Sequence, residues 1–249
     1  MSDPTPVPTP DATSGPAPTG NRGVAAPYEV VDLGRLGYRE AWDLQHTRHD
    51  AVARREAPPA MFWVEHDPVL TFGRKGGRDH LLASETELRA RGFDLVDVER
   101  GGDVTYHGPG QLVGYPILPV GRRVRAYLRA IEDAMVELCA GFGIDAFGSP
   151  GYAGVWVGDR KVCAIGVAIR RDVSFHGFAL NVATDLRHFE TIVPCGLHDR
   201  GVTSLTELLG RPIGLEEAQR RLTPLLHEHF APFATPRRAP APSAERTRA

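Results

Sequence analysis

Apolar positions along this chain follow two rhythms, and the changes between them mark out its elements. Residues 28–33, YEVVDL, read as an opening strand. Residues 38–57 carry apolar positions at helical spacing among many charges, which predicts a polar-faced helix. MFWVEH (61–66) and VLTFG (69–73) are short apolar runs on either side of Pro68 and read as strands. Ser84 and Glu87 have the spacing of a capping box and predict a short helix. FDLVDVER (93–100) predicts a strand running into Gly101–Gly102, and QLVGYPILPV (111–120) another. Leu128, Ile131, Met135 and Leu138 fall on one face of a helix that stops at Gly141. Residues 153–182 divide at Gly158–Arg160 and Arg170–Asp172 into three antiparallel strands. A short helix over 204–210 and a terminal helix over 215–230 follow, the second disturbed by Pro224.

Residues 1–26 and 234–249 are rich in Pro, Thr and Ala and nearly free of large apolar side chains, so they read as disordered tails. Between them, no break in composition is long enough for a linker and no repeat appears. Residues 27–233 are expected to form one domain. The chain has 249 residues, 42% of them hydrophobic, enough for one sizeable core. A net charge of −2 argues against a general nucleic-acid binder. No run approaches the roughly 18 apolar residues of a membrane span. The N-terminal stretch has neither the basic nor the apolar region of a signal peptide. Three widely spaced cysteines form neither a disulfide framework nor a zinc pattern. The expectation is a cytoplasmic protein with free thiols, no metal and no membrane partner.

Lysine occurs only at Lys75 and Lys161; the other 27 of the 29 basic residues are arginine. Arginine stays protonated, whereas lysine can carry a proton to and fro. The two lysines therefore stand out as candidates for lysine chemistry, although Lys75, in TFGRKGG, has the look of a solvated loop cation. Of the thiols, Cys139 lies one helical turn from Met135 and reads as core, and Cys163 sits within a predicted strand and reads as packing. Cys195 is different: it stands in IVPCGL between a proline and a glycine, on a turn that presents it. His227 and His229, two apart on a helix, lack metal-ligand spacing. RGGDVTYHGPGQLVGYP (100–116) crowds glycines beside Arg100, Asp103, Thr105, Tyr106, His107 and Gln111, a backbone that a ligand can approach closely. No GxxxxGK[S/T] phosphate loop exists.

RGGDVTYHGPGQLVGY, GDRKVCAIGV, FHGFALNV and IVPCGL, in this order, resemble the lipoyl(octanoyl) transferase family, the octanoyl-acyl carrier protein:protein N-octanoyltransferases. The resemblance runs from about Tyr28 to about Phe230. It implies an α+β fold, a mixed and largely antiparallel sheet flanked by helices, like the catalytic domain of biotin and lipoate ligases. It implies transfer of an octanoyl group from acyl carrier protein to one lysine of a lipoyl domain, in 2-oxoacid dehydrogenase complexes and the glycine cleavage H protein, through an acyl-cysteine and without a cofactor. By motif matching it implies Cys195 and Lys161 as the catalytic pair. It carries acyl binding onto Arg100, Gly101, Gly102, Asp103, Val104, Thr105, Tyr106 and His107, onto Ala164, Ile165 and Gly166, and onto Gly177, Phe178 and Ala179.

The residues suit that chemistry on their own terms. An ammonium at Lys161 favours a nearby thiolate, and a deprotonated Lys161 can take the proton of an attacking amine. Backbone N–H groups around Cys195–Leu197 would meet the oxyanion. The small residues of AIG and GFA, on neighbouring strands, leave room for a linear acyl chain. His107, at the end of the glycine motif, is a candidate for orienting the thioester or Lys161. Three other readings stay open: an ATP-dependent lipoate or biotin ligase on the same fold, a Cys/His hydrolase using Cys195 with His107 or His176, and a binding module for lipoyl domains or acyl carriers.

Overall fold

Strand β1 (Glu29–Leu36) enters the fold beside β2 (Ala60–His66), with helix α1 (Tyr38–Ala53) between them in sequence. The computed structural model describes residues 28–149, 152–193 and 201–234. Both tails, and with them the expected disorder of 1–26 and of all but Ala234 in 234–249, lie outside the described residues. So does Cys195, with residues 194–200.

The remaining elements are β3 (Val69–Phe72), α2 (Glu85–Ala90), β4 (Asp94–Asp97), β5 (Val104–His107), β6 (Gln111–Ile117), α3 (Val124–Gly141), β7 (Phe147–Ser149), β8 (Tyr152–Val157), β9 (Arg160–Arg170), β10 (Val173–Asn181), β11 (Gly201–Val202), α4 (Leu205–Leu209) and α5 (Leu215–Ala234). The main sheet runs β1-β2-β6-β10-β9-β8-β7, with β11 added alongside β9. Only β1–β2 and β9–β11 are parallel within it. A separate sheet, β4-β3-β5, stands beside it. The mixed, largely antiparallel sheet with flanking helices is the expected fold class.

Burial on both faces explains the apolar runs in the middle strands. Ile131, Met135 and Leu138 of α3 and Leu222, Leu226 and Phe230 of α5 pack with Ile165, Phe178 and Leu180 in the larger core. On the other face, Ala41 and Val52 of α1 join Val113, Tyr115 and Ala179. The small sheet has its own cluster, Leu70, Phe72, Leu95 and Tyr106 with Phe189 and Ile192. Cys139 and Cys163 are both buried.

Several boundaries differ from the sequence reading. Helix α1 stops at Ala53 instead of running to Ala57. Arg55 turns to φ 63°, and the Arg55 and Glu56 amides cap the Val52 and Ala51 carbonyls, a Schellman ending. Strand β4 ends at Asp97, short of Arg100. Helix α5 continues through Pro224 and Pro232 to Ala234; each proline withholds one N–H, but the buried stripe from Ala218 to Phe233 holds the helix together. The glycine motif contains a strand of its own, β5, which pairs antiparallel with β3.

Candidate active site

Two glycine loops are zipped together. The Gly73, Arg74 and Lys75 amides donate to the Asp103, Arg100 and Gly102 carbonyls at 3.3, 3.0 and 3.0 Å. A Cβ on Gly73 would stand 2.5 Å from the Gly102 carbonyl oxygen, so only glycine allows this approach. The pair of loops is pinned to the main sheet by the Gly101 amide, which donates to Val167 O at 2.9 Å. At Gly166 a Cβ would lie 3.0 Å from both Arg100 Cδ and Gly101 O. The glycines of RGG and AIG therefore press one layer onto the other.

Between these layers lies a cavity of about 590 Å³. Ala164–Val167 of β9 and His176–Ala179 of β10 line it on the sheet side, and Arg100–Thr105 and His107 on the loop side. The sheet-side segments are register partners: Ala164 pairs with Ala179, Ile165 with Phe178 and Gly166 with Gly177. The two sets of small residues named from the sequence thus face each other across one ladder. Lys161 and Trp156 also border the cavity, and so does exposed Lys75. Both lysines of the chain meet one cavity, which the reading of Lys75 as a simple loop cation did not anticipate. A shallower depression of about 630 Å³ beside Asp32, Gln219 and His227 holds none of the expected site residues.

Arg100 is buried, and its guanidinium donates to Thr71 O (2.7 Å), Thr71 Oγ1 (2.9 Å) and Gly101 O (3.1 Å), bracing the motif from behind. Asp103 is buried; one carboxylate oxygen accepts the Val104 amide at 2.6 Å and the other lies 2.6 Å from His80 Nδ1. His80 O in turn accepts the Val193 amide at 2.9 Å, which ties the glycine motif to the stretch before Cys195. Val104 and Thr105 border the cavity. Tyr106 does not: its ring packs in the small sheet's core, where its hydroxyl meets His188 Nδ1 at 2.7 Å.

His107 is held on both ring nitrogens. Gln111 Nε2 donates to Asn181 Oδ1 and Tyr106 O, so Gln111 Oε1 is left to accept from His107 Nδ1 at 2.8 Å. The other nitrogen faces Thr71 Oγ1 at 3.4 Å, and the ring stacks on Tyr38 at 5.8 Å. Burial holds its pKa well below the usual histidine range, so the ring is neutral at pH 7. His176 adopts φ 54° and borders the cavity with Nδ1 3.4 Å from the Tyr38 hydroxyl and Nε2 3.5 Å from Glu99. Tyr38 and Trp156 are cavity residues that the sequence reading did not single out, whereas Gln111 stood in the glycine motif and His176 was named only as a possible base of the hydrolase reading.

Neighbouring His66 is buried between the Leu36 carbonyl (2.9 Å) and the Tyr115 hydroxyl (2.7 Å). Desolvation pushes its pKa down to about 4, despite the upward pull of the Leu36 bond. Between pH 6.5 and 4 the unfolded chain binds this proton and the folded chain does not, so folding stability falls as pH drops through that window. Burial lowers His107 and His176 in the same direction. The expected result in denaturant titrations is a loss of about 1.4 kcal/mol per pH unit from His66 across that window, with His107 and His176 acting in the same direction. A His66→Gln variant should lose one proton's share of that slope; an unchanged slope would contradict the assignment.

Lys161 occupies the β9 end of the cavity. Its carbonyl accepts the Thr203 amide at 3.0 Å, and Val202 of β11 is its parallel partner. The chain that follows residues 194–200 therefore returns directly beside Lys161. Among the described residues no group of three or more His, Cys, Asp and Glu has the arrangement of a metal site, and no helix is long and apolar enough to cross a membrane.

This architecture is that of a lipoate-ligase catalytic domain. A solved lipoate-protein ligase A bound with ATP superposes with a TM-score of 0.66 at 17% identity, over 82% of this chain and 85% of that one. The chain belongs to the lipoyl protein ligase A/B catalytic domain family, whose sequence pattern matches residues 37–226. Among its curated relatives, an octanoyltransferase of Alkaliphilus metalliredigens is 42% identical over 205 residues, 81% of this chain and 94% of that protein. An octanoyltransferase of Porphyromonas gingivalis is 43% identical over 217 residues, 82% of this chain; the chain spans only 44% of that relative's length.

Proposed function

We propose that the protein moves an octanoyl group from the thioester of an acyl carrier protein onto the ε-amine of a lysine in a lipoyl domain. The acyl group passes through a thioester on Cys195, with Lys161 as the proton-handling partner. The observation that carries this reading is the cavity itself, where a lysine amine opens onto a slot walled by paired small residues of β9 and β10. The identity with curated octanoyltransferases supports the choice of acyl group.

The steps follow from ordinary reactivity. A free thiol titrates near ~8.5, and a neighbouring ammonium shifts it toward the thiolate. The thiolate of Cys195 attacks the donor carbonyl, and the carrier's thiolate departs with the C–S bond electrons and takes up a proton. One thioester replaces another at little cost in free energy. The acceptor amine, with a usual pKa near ~10.4, must then attack in its neutral form. Lys161 accepts the proton as the new C–N bond forms, and the Cys195 thiolate leaves. Thioester to amide runs downhill, so no nucleotide is consumed. The lipoyl domains of 2-oxoacid dehydrogenase complexes and the glycine cleavage H protein are the proposed acceptors, and the cytoplasm the proposed compartment.

The hydrolase reading loses support at His107, whose two ring nitrogens both face fixed neighbours. The test is a transfer assay with octanoyl-carrier and a lipoyl domain. Amide-linked octanoyl lysine is expected at the same rate with and without ATP. Strict dependence on ATP would replace this reading with a ligase.

A further inference from the structure

Lys161 is seated by a feature of β8 and β9 that the reading above does not use. The ladder pairs Gly154 with Ala164 and Val155 with Cys163, then slips, so that Trp156 pairs with Lys161 and Val157 with Arg160. Val162 is the extra residue, a β-bulge on β9. In an unbroken ladder Trp156 would face Val162, and Lys161 would point from the opposite side of the sheet. The bulge brings Lys161 onto the face of Trp156. There its Nζ lies 4.7 Å from the centroid of the indole ring, which is itself only 1% exposed.

Gly154, two residues earlier and so on the same face of β8, completes the seat. A Cβ there would stand 3.3 Å from Lys161 Cε, 3.4 Å from its Cδ and 2.6 Å from Cys163 O, at a φ of 136°. The stem of Lys161 passes over a glycine and its ammonium ends against an indole.

We propose that Trp156 is a positioning residue for Lys161, set in place by the Val162 bulge. This rests on the reading of Lys161 as the group that carries the proton. An indole face attracts an ammonium and not a neutral amine. Trp156 thus holds one rotamer of Lys161 and keeps its proton on while Cys195 attacks the donor; the departing carrier thiolate then takes that proton and leaves Lys161 neutral to receive one from the acceptor amine. Other groups that share this environment are the Cys163 thiol on β9, the Glu132 carboxyl of α3, which takes a backbone hydrogen bond from Gly154, and the Arg160–Glu207 pair beside β11. Lys75, Asp103 and His107 stand elsewhere around the same cavity. None of them supplies an aromatic face, so the ring can be tested apart from the charges.

A chain with two lysines makes the test direct. Full-length protein labelled with ¹³C-lysine should give two ε-methylene signals, assigned with a Lys75→Arg variant. The Lys161 protons should be displaced upfield by the indole ring current, and the Lys75 protons should not. Trp156→Leu should abolish that displacement and lower the Lys161 titration midpoint by about one pH unit, a tenfold change in its ammonium-to-amine ratio. Trp156→Phe should fall between Leu and wild type in both readouts, and guards against a Leu variant that fails to fold. In transfer assays kcat should fall about tenfold for Leu, with KM for the donor within about twofold. A folded variant, Leu or Phe, whose Lys161 shift and midpoint match wild type would overturn the proposal. If the wild-type protein transfers no octanoyl group, the proposed function fails, while the ring-current and titration results still decide the placement of Lys161.

Discussion

Mixed with octanoyl-carrier protein, without ATP and without an acceptor, the protein should accumulate one octanoyl group as a thioester on Cys195. The first half-reaction needs a thiolate and room for the chain, and the slot between β9 and the glycine motif provides the room. Water should clear the adduct slowly, because the site is proposed to receive an amine from a docked protein, and His107 meets Gln111 and Thr71 with its two ring nitrogens. Adding a lipoyl domain should discharge it onto that domain's lysine. Intact mass and peptide mapping read both steps. Cys195→Ser should lose adduct and transfer together, by on the order of 10³-fold or more, since a serine hydroxyl is a poor nucleophile without a dedicated base. The other thiols cannot substitute. Burial pushes the Cys139 thiol up to about 12 and Cys163 upward as well. Cys139→Ala and Cys163→Ala should therefore leave the folded enzyme active. An adduct on either, or one that forms only after ATP is added, would exclude the mechanism.

Elements with strong local signals were legible in the sequence. The Ser84–Glu87 spacing corresponds to a real cap, with Ser84 Oγ accepting the Glu87 amide. The apolar stripe of α3 ends at Gly141 as its period predicts. Elements made by distant partners were not legible. Strand β5 is four residues inside a glycine-rich run, and it exists because β3, more than thirty residues earlier, pairs with it. The same pairing decides that Tyr106 faces the small sheet's core and not the cavity. Helix α1 ends where Arg55 becomes left-handed, which no residue preference announces.

The site shows the same division. The facing of AIG and GFA follows from one local fact, the two-residue turn at Arg171–Asp172 with φ of 48° and 64°. Counting back from that turn sets Gly166 against Gly177 and Ala164 against Ala179. The sequence reading placed the turn one residue too broadly to count the register. Lys75 reads from TFGRKGG as a solvated loop cation; its loop lies 86 residues before Lys161, and only the zipping of two glycine loops brings it to the same cavity. The Val162 bulge leaves no mark in composition or period, so Trp156 read as an ordinary strand residue.

Lys161→Arg should be almost as damaging as Lys161→Ala, with transfer reduced about 10²- to 10⁴-fold in both. If the side chain served only as a fixed positive charge, arginine would replace it well, and this chain uses arginine at 27 of its 29 basic positions. The proposed role demands a group that gives up its proton and recovers it within each turnover. A guanidinium does not do so near neutral pH. It is also planar and broader than an ammonium, and the passage over Gly154 to the Trp156 ring is fitted to a narrow stem. The two half-reactions separate these causes. With Lys161→Arg, the octanoyl adduct on Cys195 should still form at a substantial rate, because a nearby cation of either kind favours the thiolate. Its discharge to the lipoyl domain should be the step that fails. With Lys161→Ala, both steps should slow. A Lys161→Arg enzyme that discharged its adduct at close to the wild-type rate would reduce Lys161 to an electrostatic role.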